Sequence, residues 1–375
     1  MLGGMEKLNQ HLLAELAREY RIALCGPRGC AAFAPGDTQI AETSVKPLPR
    51  FLLGTALRAV RMARRLHPAV VIAGSGLTAP IAWLAARLSG ARLIVYLHGL
   101  DIVAPSRLYQ RGWLPFIRTC DVVLVNSCNT SVLAQARGVR AGRIRILHPG
   151  TDIPDLNPAA AQAFRQKYQL GDRPIMLSVG RLTRRKGLAE FATKALPSIL
   201  AECPDANLVV IGDEASDALH VHKGSERERI LAAARVAGVD RAVHFLGRCD
   251  AADLGAAYQA AQVHVFPVLQ QRDDVEGFGM VAIEAAAHGL PTVAFAVGGV
   301  SDAVSDGVSG YLLQQGDCDG FADRICDVLV IGRATQMRDN ARAFASSFAW
   351  VHFGERLRLI LQSASRERND TDKAE

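Results

Sequence analysis

The sequence predicts an α/β protein of two domains, each a doubly wound parallel sheet flanked by helices. Three observations lead to that expectation. Short apolar runs of strand length alternate with longer segments of helical period along the whole chain, the order that parallel strands with crossover helices require. The chain has 375 residues, enough to bury two separate cores. Near its middle, the stretch HPGTDIPDLNPAA starting at His148 holds three prolines and a glycine and cannot continue a regular element, so the boundary is placed near His148–Ala159. The expected domains are residues 1–152 and 153–348, with a C-terminal helix and polar tail over 349–375.

In the first half the predicted strands are Arg21–Cys25, Ala69–Ala73, Arg92–Leu97, Val122–Val125 and Arg143–Leu147. In the second half they are Pro174–Val179, Asn207–Ile211, Val243–Leu246, Val263–Val265, Pro291–Ala296 and Gly310–Leu312. Helices are expected over Gly187–Leu200, Arg227–Val236 and Val281–His288, among others. A doubly wound domain opens with a buried strand that feeds a glycine turn into the first helix. Here the turn Leu2-Gly3-Gly4 runs directly into a helix, so the first strand of the pattern is expected upstream of Met1. The tail Ser363–Glu375 is polar and expected to fray.

Composition excludes several classes. No apolar run reaches the roughly 18–20 residues of a membrane span, and the N-terminus lacks the basic and apolar regions of a secretory signal. The eight cysteines contain no CxxC pair and no zinc-ligand spacing, which suits a reducing cytosol better than a disulfide framework. The net charge of +6 hides an asymmetry: residues 1–152 carry 19 Lys and Arg against 8 Asp and Glu, and the remainder 24 against 29. One half therefore suits an anionic partner. Aromatic residues interleaved with basic ones, as single-stranded nucleic acid would need, are scarce there, which favours an anionic membrane surface over nucleic acid.

Three segments can carry chemistry. In Asp274–Pro291, DVEGFGMVAIEAAAHGLP, Glu276 and Glu284 stand eight apart around Gly277 and Gly279, with a helix starting near Met280. A glycine turn at a helix N-terminus lets backbone N–H groups approach a phosphate, and the two carboxylates can accept hydrogen bonds from sugar or ribose hydroxyls. On spacing alone, the segment equally reads as a helix with one structural and one exposed carboxylate. In Val179–Gly187, VGRLTRRKG, Arg181 and Lys186 follow a predicted strand, where they can hold a diphosphate or simply form a solvated basic turn, as Arg184 and Arg185 are expected to do. In Tyr96–Asp101, YLHGLD, His98 ends a strand and is either structural or directed at a ligand.

Together and in this order, with HPGTD at 148–152, FLGR at 245–248 and GGVSDAVSDGVSGYLL at 298–313, these segments resemble the retaining glycosyltransferases of family 4. The resemblance spans nearly the whole chain and comes nearest to the branch of bacterial phosphatidylinositol mannosyltransferases. It implies the GT-B fold, two Rossmann-like domains with parallel sheets facing a central cleft, and a Trp350-bearing C-terminal helix crossing back to the acceptor-side first domain. It also implies roles. Arg181 and Lys186 would hold the donor diphosphate, with the backbone at Phe278, Gly279 and Met280 and at Gly3 and Gly4. Glu284 would bind the ribose and Glu276, beside Gly277, the transferred sugar. Gly247 and Arg248 would sit beside the base, and His98 would contact the sugar and steady positive charge at the anomeric carbon. With no Asp-x-Asp in a plausible loop, no metal is expected, and no cofactor beyond the nucleotide sugar as co-substrate.

The expected activity is transfer of a hexose, mannose from GDP-mannose by the nearest branch, to a lipid-linked or cell-surface polysaccharide acceptor at the cytoplasmic face of the membrane. A helix expected from about Phe51 to Leu66 supports the membrane partner: Arg58, Arg61 and Arg65 share one face beside an apolar stripe of Leu53, Leu57 and Val60. The same pattern also fits a core helix with a solvated basic face. Two rival functions remain at this stage, a GT-B-fold sugar-nucleotide epimerase and a degenerate, non-catalytic nucleotide-sugar-binding partner.

Overall fold

A computed structural model describes residues 3–214, 225–271, 274–330 and 333–371. Twelve strands are described: β1 Ala23–Pro27, β2 Gln39–Thr43, β3 Val70–Ala73, β4 Arg92–Leu97, β5 Val122–Val125, β6 Ile144–Ile146, β7 Ile175–Val179, β8 Asn207–Ile211, β9 Val243–Gly247, β10 Val263–Phe266, β11 Thr292–Phe295 and β12 Gly310–Leu313. All ladders are parallel. The chain forms two compact units: residues 3–150 with 274–277 and 350–371, and Thr151–Gln271 with Phe278–Ala349. The second unit is therefore interrupted by a short segment that belongs to the first.

In the first unit β3, β4, β5 and β6 form one sheet in that order. β4 and β5 are buried on both faces, which is why they read as unbroken runs of Leu, Ile and Val. Helix Ala79–Ser89 packs on β3 and β4 through the small side chains of Ala79, Ala82 and Ala86. Among the described residues β1 pairs only with β2, in a separate two-stranded sheet under helix Leu48–Leu66. The single doubly wound sheet expected for this half is thus two sheets, because no described strand forms a ladder with both. β2 was not anticipated. Its sequence QIAET is partly exposed throughout and holds only Ile40 and Ala41 between polar residues, so it has no apolar run to detect.

The C-terminal helix Trp350–Thr371 belongs to this first unit and continues past Ser363, where fraying was expected. Its seat is specific. Arg358 pairs with Glu15 at 3.5 Å and with Glu19 at 3.2 Å, and Glu15, 4% exposed, also accepts from Arg18 at 3.1 Å. Trp350 stacks on His11 with ring centres 3.7 Å apart. Gly354 lies so close to Glu15 that a Cβ there would collide with its carboxylate.

The second unit holds one six-stranded sheet in the order β12-β11-β10-β7-β8-β9. The order reverses between β7 and β10, and the crevice for a ligand in such a sheet lies there, at the carboxyl ends. The core is continuous and apolar, with Leu208, Val210, Val263, Val265, Val293 and Phe321 essentially inaccessible. The single helix expected over Gly187–Leu200 is two, Leu188–Lys194 and Leu196–Glu202. Pro197 starts the second, because it has no N–H to continue the first.

Replacing Glu15 by Ala leaves the Arg358 guanidinium, itself only 19% exposed, without its buried partner. A loss of about 2–4 kcal/mol of stability is expected, read from the urea midpoint, with hydrogen exchange accelerated first in the C-terminal helix.

Candidate functional site

The carboxyl ends of β7, β8 and β9 lie side by side and carry glycine. Gly180 follows β7 and donates its N–H to Ile211 at 2.9 Å, and Gly212 follows β8 and donates to Gly247 at 2.8 Å. Gly212 has φ +142°, and a Cβ there would run into the Gly180 carbonyl. The three strand ends can pack this closely only without side chains. Their bare backbone forms the edge of the crevice.

Lys186 closes a short 3₁₀ turn, Arg184–Lys186, after β7. Its Nζ lies 4.5 Å from the ring centre of Phe266, the last residue of β10, and 3.6 Å from where a Gly180 Cβ would stand. The aromatic face holds the ammonium while desolvating it on one side, which strengthens its pull on an anion. Arg181 is exposed on the same segment. Arg185, expected to be solvated, is instead 9% exposed, and its carbonyl accepts from Leu269 at 2.8 Å, fixing the turn to the chain after β10.

Gly279 caps the N-terminus of helix Met280–Ala287 with φ +92°, and a Cβ there would stand 3.1 Å from the Phe266 ring. Phe266 thus underlies both Lys186 and the helix N-terminus, whose partial positive charge adds to that of the ammonium. Phe278 is buried against Phe348, with ring centres 5.9 Å apart, and Met280 is half-buried. Glu284 lies one turn further along, half-buried, with Oε2 accepting from Tyr258 at 3.4 Å. Gly247 ends β9, and the exposed Arg248 pairs with Asp213 at 3.7 Å. Lys186, Phe278, Gly279, Met280 and Glu284 are therefore gathered at the switch point, with Arg181, Gly247 and Arg248 along the same sheet edge.

The other predicted residues belong to the first unit. His98 ends β4, half-buried, with Nε2 donating to the Gly74 carbonyl at 2.8 Å, so that in the neutral ring Nδ1 is the acceptor. Its backbone N–H donates to Asp101 at 2.9 Å, and its carbonyl accepts from Asn126 at 3.3 Å. Gly277 packs on that carbonyl so closely that a Cβ would collide with it, which places the half-buried Glu276 next in the chain to His98's loop. Gly3 and Gly4 begin helix Gly4–Ala17. There the carboxylate of Glu6 folds back over Gly3, occupying the space in which a Cβ would stand, so a negative charge guards this turn in the present conformation.

Sequence reading missed Phe266, Tyr258 and Gly180, and named Gly212 only as part of a loop beside the base. The glycines after two successive apolar strands were a usable signal. The two aromatic residues were not, since each reads as ordinary core.

Two family models match the chain, glycosyl transferases group 1 over residues 161–344 and glycosyltransferase family 4 over residues 2–154. A GDP-mannose-dependent alpha-(1-6)-phosphatidylinositol monomannoside mannosyltransferase of Mycolicibacterium smegmatis is 30% identical, covering 97% of this chain and 96% of that protein. The protein of the same description from Mycobacterium tuberculosis is 34% identical over 74% of this chain and 70% of its own. The crystal structure of Anabaena Alr3699/HepE in complex with UDP-glucose shares the fold, at TM-score 0.77 and 21% identity over 97% of each chain. With two α/β units on parallel sheets, matched over nearly its full length, the chain belongs to the family 4 glycosyltransferases and has their GT-B fold.

Proposed function

We propose that this enzyme transfers a hexose, mannose from GDP-mannose, to a lipid-linked or cell-surface polysaccharide acceptor, retaining the anomeric configuration and needing no metal. The observation that carries the donor class is the Lys186 ammonium, seated on Phe266 between side-chain-free strand ends and the Gly279 helix N-terminus. Those groups suit a diphosphate, and a mannosyltransferase relative covered almost end to end favours guanine and mannose.

On this reading Arg181 and Lys186 neutralise the charge that builds on the departing nucleoside diphosphate. Glu284 accepts from the ribose, Glu276 accepts from the sugar hydroxyls, and the Nδ1 side of His98 faces the charge developing at the anomeric carbon. A donor phosphate oxygen takes the acceptor's proton on the same face of the sugar, so no hydrolase-type pair of carboxylates is required.

The membrane role rests on helix Leu48–Leu66. Leu53 and Leu57 are each 65% exposed, and Arg58, Arg61, Arg64 and Arg65 are exposed with them. Phe51, Thr55 and Ala63 form the face that packs inward. Among the described residues no helix is long and apolar enough to cross a membrane; the attachment proposed is peripheral, through this helix.

Three outcomes are expected. In a thermal-shift series with GDP, UDP and ADP, GDP at about 100 times its dissociation constant should stabilise the protein by roughly 2.7 kcal/mol. A shift with UDP alone would replace mannose by a uridine-linked sugar, and no shift would favour the non-catalytic rival. Lys186→Ala and Glu284→Ala should each lower sugar transfer by about 10²-fold or more in a radiolabel assay, and near-normal turnover would remove those assignments. In vesicle flotation, the double variant Leu53→Glu, Leu57→Glu should lose binding to phosphatidylglycerol vesicles while keeping its response to GDP.

A further inference from the structure

We infer that Tyr258 is the positioning residue for Glu284: its buried hydroxyl aims the Glu284 carboxylate at the nucleotide. The inference rests on the reading of Glu284 as a donor contact.

Glu284 is a poor ligand group if left to itself. Its three rotatable bonds must be stilled before it can accept from a ribose hydroxyl, and that ordering weakens binding unless the free protein has already met it. Tyr258 sits on helix Ala251–Ala260, 2% exposed, with Oη 3.4 Å from Oε2 of Glu284. The hydrogen bond is long, so its effect is to choose an orientation rather than to add strength. Burial and the neighbouring carboxylate push the phenol well above its ordinary range, so it remains a donor across the physiological pH range.

The hydroxyl can aim only because its ring is held. Tyr258 stacks on His288 with centres 5.0 Å apart, and His288 Nδ1 donates to the main-chain carbonyl of Glu284 at 2.8 Å. On another side Tyr258 meets the edge of His264 at 6.4 Å. His264 is anchored through Nδ1 to Thr292 at 3.1 Å and stacks on Phe266 at 5.4 Å. Burial keeps it neutral, with its pKa lowered to about 3. Phe266 is the ring beneath Lys186. One buried column of rings therefore runs from the diphosphate cation to the ribose carboxylate and sets their separation. Each end is a charged group on a flexible stem, met at its tip by a buried aromatic side chain.

The test is a double-mutant cycle with nucleotide affinity as the readout. Wild type, Tyr258→Phe, Glu284→Ala and the double variant are titrated calorimetrically with GDP and with UDP, and the tighter ligand is used throughout. Phe keeps the ring and its stacking, so the unliganded melting temperature should stay close to wild type. Tyr258→Phe should weaken binding about three- to tenfold. In the Glu284→Ala background the same change should alter affinity by less than about twofold. With the 2′,3′-dideoxy form of the nucleotide, which offers Glu284 no hydroxyl, the Tyr258→Phe loss should also vanish. An equal loss in both backgrounds, a loss that persists with the dideoxy ligand, or no loss at all would overturn the positioning role. If Glu284→Ala itself binds as wild type, it is the assignment of Glu284 that fails, a separate and recognisable result.

Discussion

The Lys186 ammonium rests on the face of Phe266, and much of the second unit's local geometry is arranged around that contact. The aromatic face attracts a cation half-withdrawn from water at modest cost. The ring must come from the strand next to the one preceding Lys186, which only the reversal of strand order between β7 and β10 allows. Around the ammonium, side chains have to be absent. Gly180 faces it, Gly212 lets the end of β8 close on the end of β7, and Gly187 lets the turn pass under the Pro267 carbonyl without collision. Gly279 then brings a helix N-terminus down onto the same ring. The sheet order, the glycines and the helix start are one solution to holding a positive charge beside bare backbone.

The first unit is built on a different constraint. Its sheet is split, and its first helix is clamped to the last helix of the chain by a buried carboxylate that pairs with Arg18 and Arg358 and fits only because Gly354 has no side chain. Removing either partner leaves a charge in a poorly solvated place, so the clamp specifies which helices pair more than it raises stability. His98 stands at the end of a largely buried strand, with both ring and main chain committed to hydrogen bonds. A neutral histidine that has given Nε2 to a carbonyl presents Nδ1 as an acceptor.

How much could be read in advance follows from burial. Strands covered on both faces carry their signal in every residue, so β4, β5 and β8 were located to the residue and β7, β10 and β11 to within one or two. β2 pairs at a half-exposed margin and gave no such run. Proline divided a helix that periodicity alone had joined. In the candidate site, Lys186 and Glu284 were picked out in the sequence, although spacing alone left structural readings open and the family resemblance decided for them. The site was illegible where an ordinary core residue matters through its neighbours: Phe266 and Tyr258 differ from other buried aromatic residues only in what they touch. The passage of residues 274–277 into the first unit was also beyond reach, since what holds Gly277 there is steric closeness to the His98 carbonyl, far away in sequence.

Magnitudes decide what the exposed helix Leu48–Leu66 can do on the proposed membrane reading. Arg58, Arg61, Arg64 and Arg65, held near an anionic surface, contribute on the order of 1 kcal/mol each, together about what a millimolar dissociation constant represents. That is too weak to localise an enzyme, and salt would screen it further. Leu53 and Leu57 change the balance, because a leucine withdrawn from water adds roughly 1.5–3 kcal/mol. Charge then selects the surface and sets the orientation, while two apolar side chains decide whether the protein stays. Neither contribution approaches that of a spanning helix, so residence remains reversible. An enzyme that draws its donor from solution and its acceptor from a bilayer requires that intermediate affinity, and a helix that was both more basic and less apolar would not supply it.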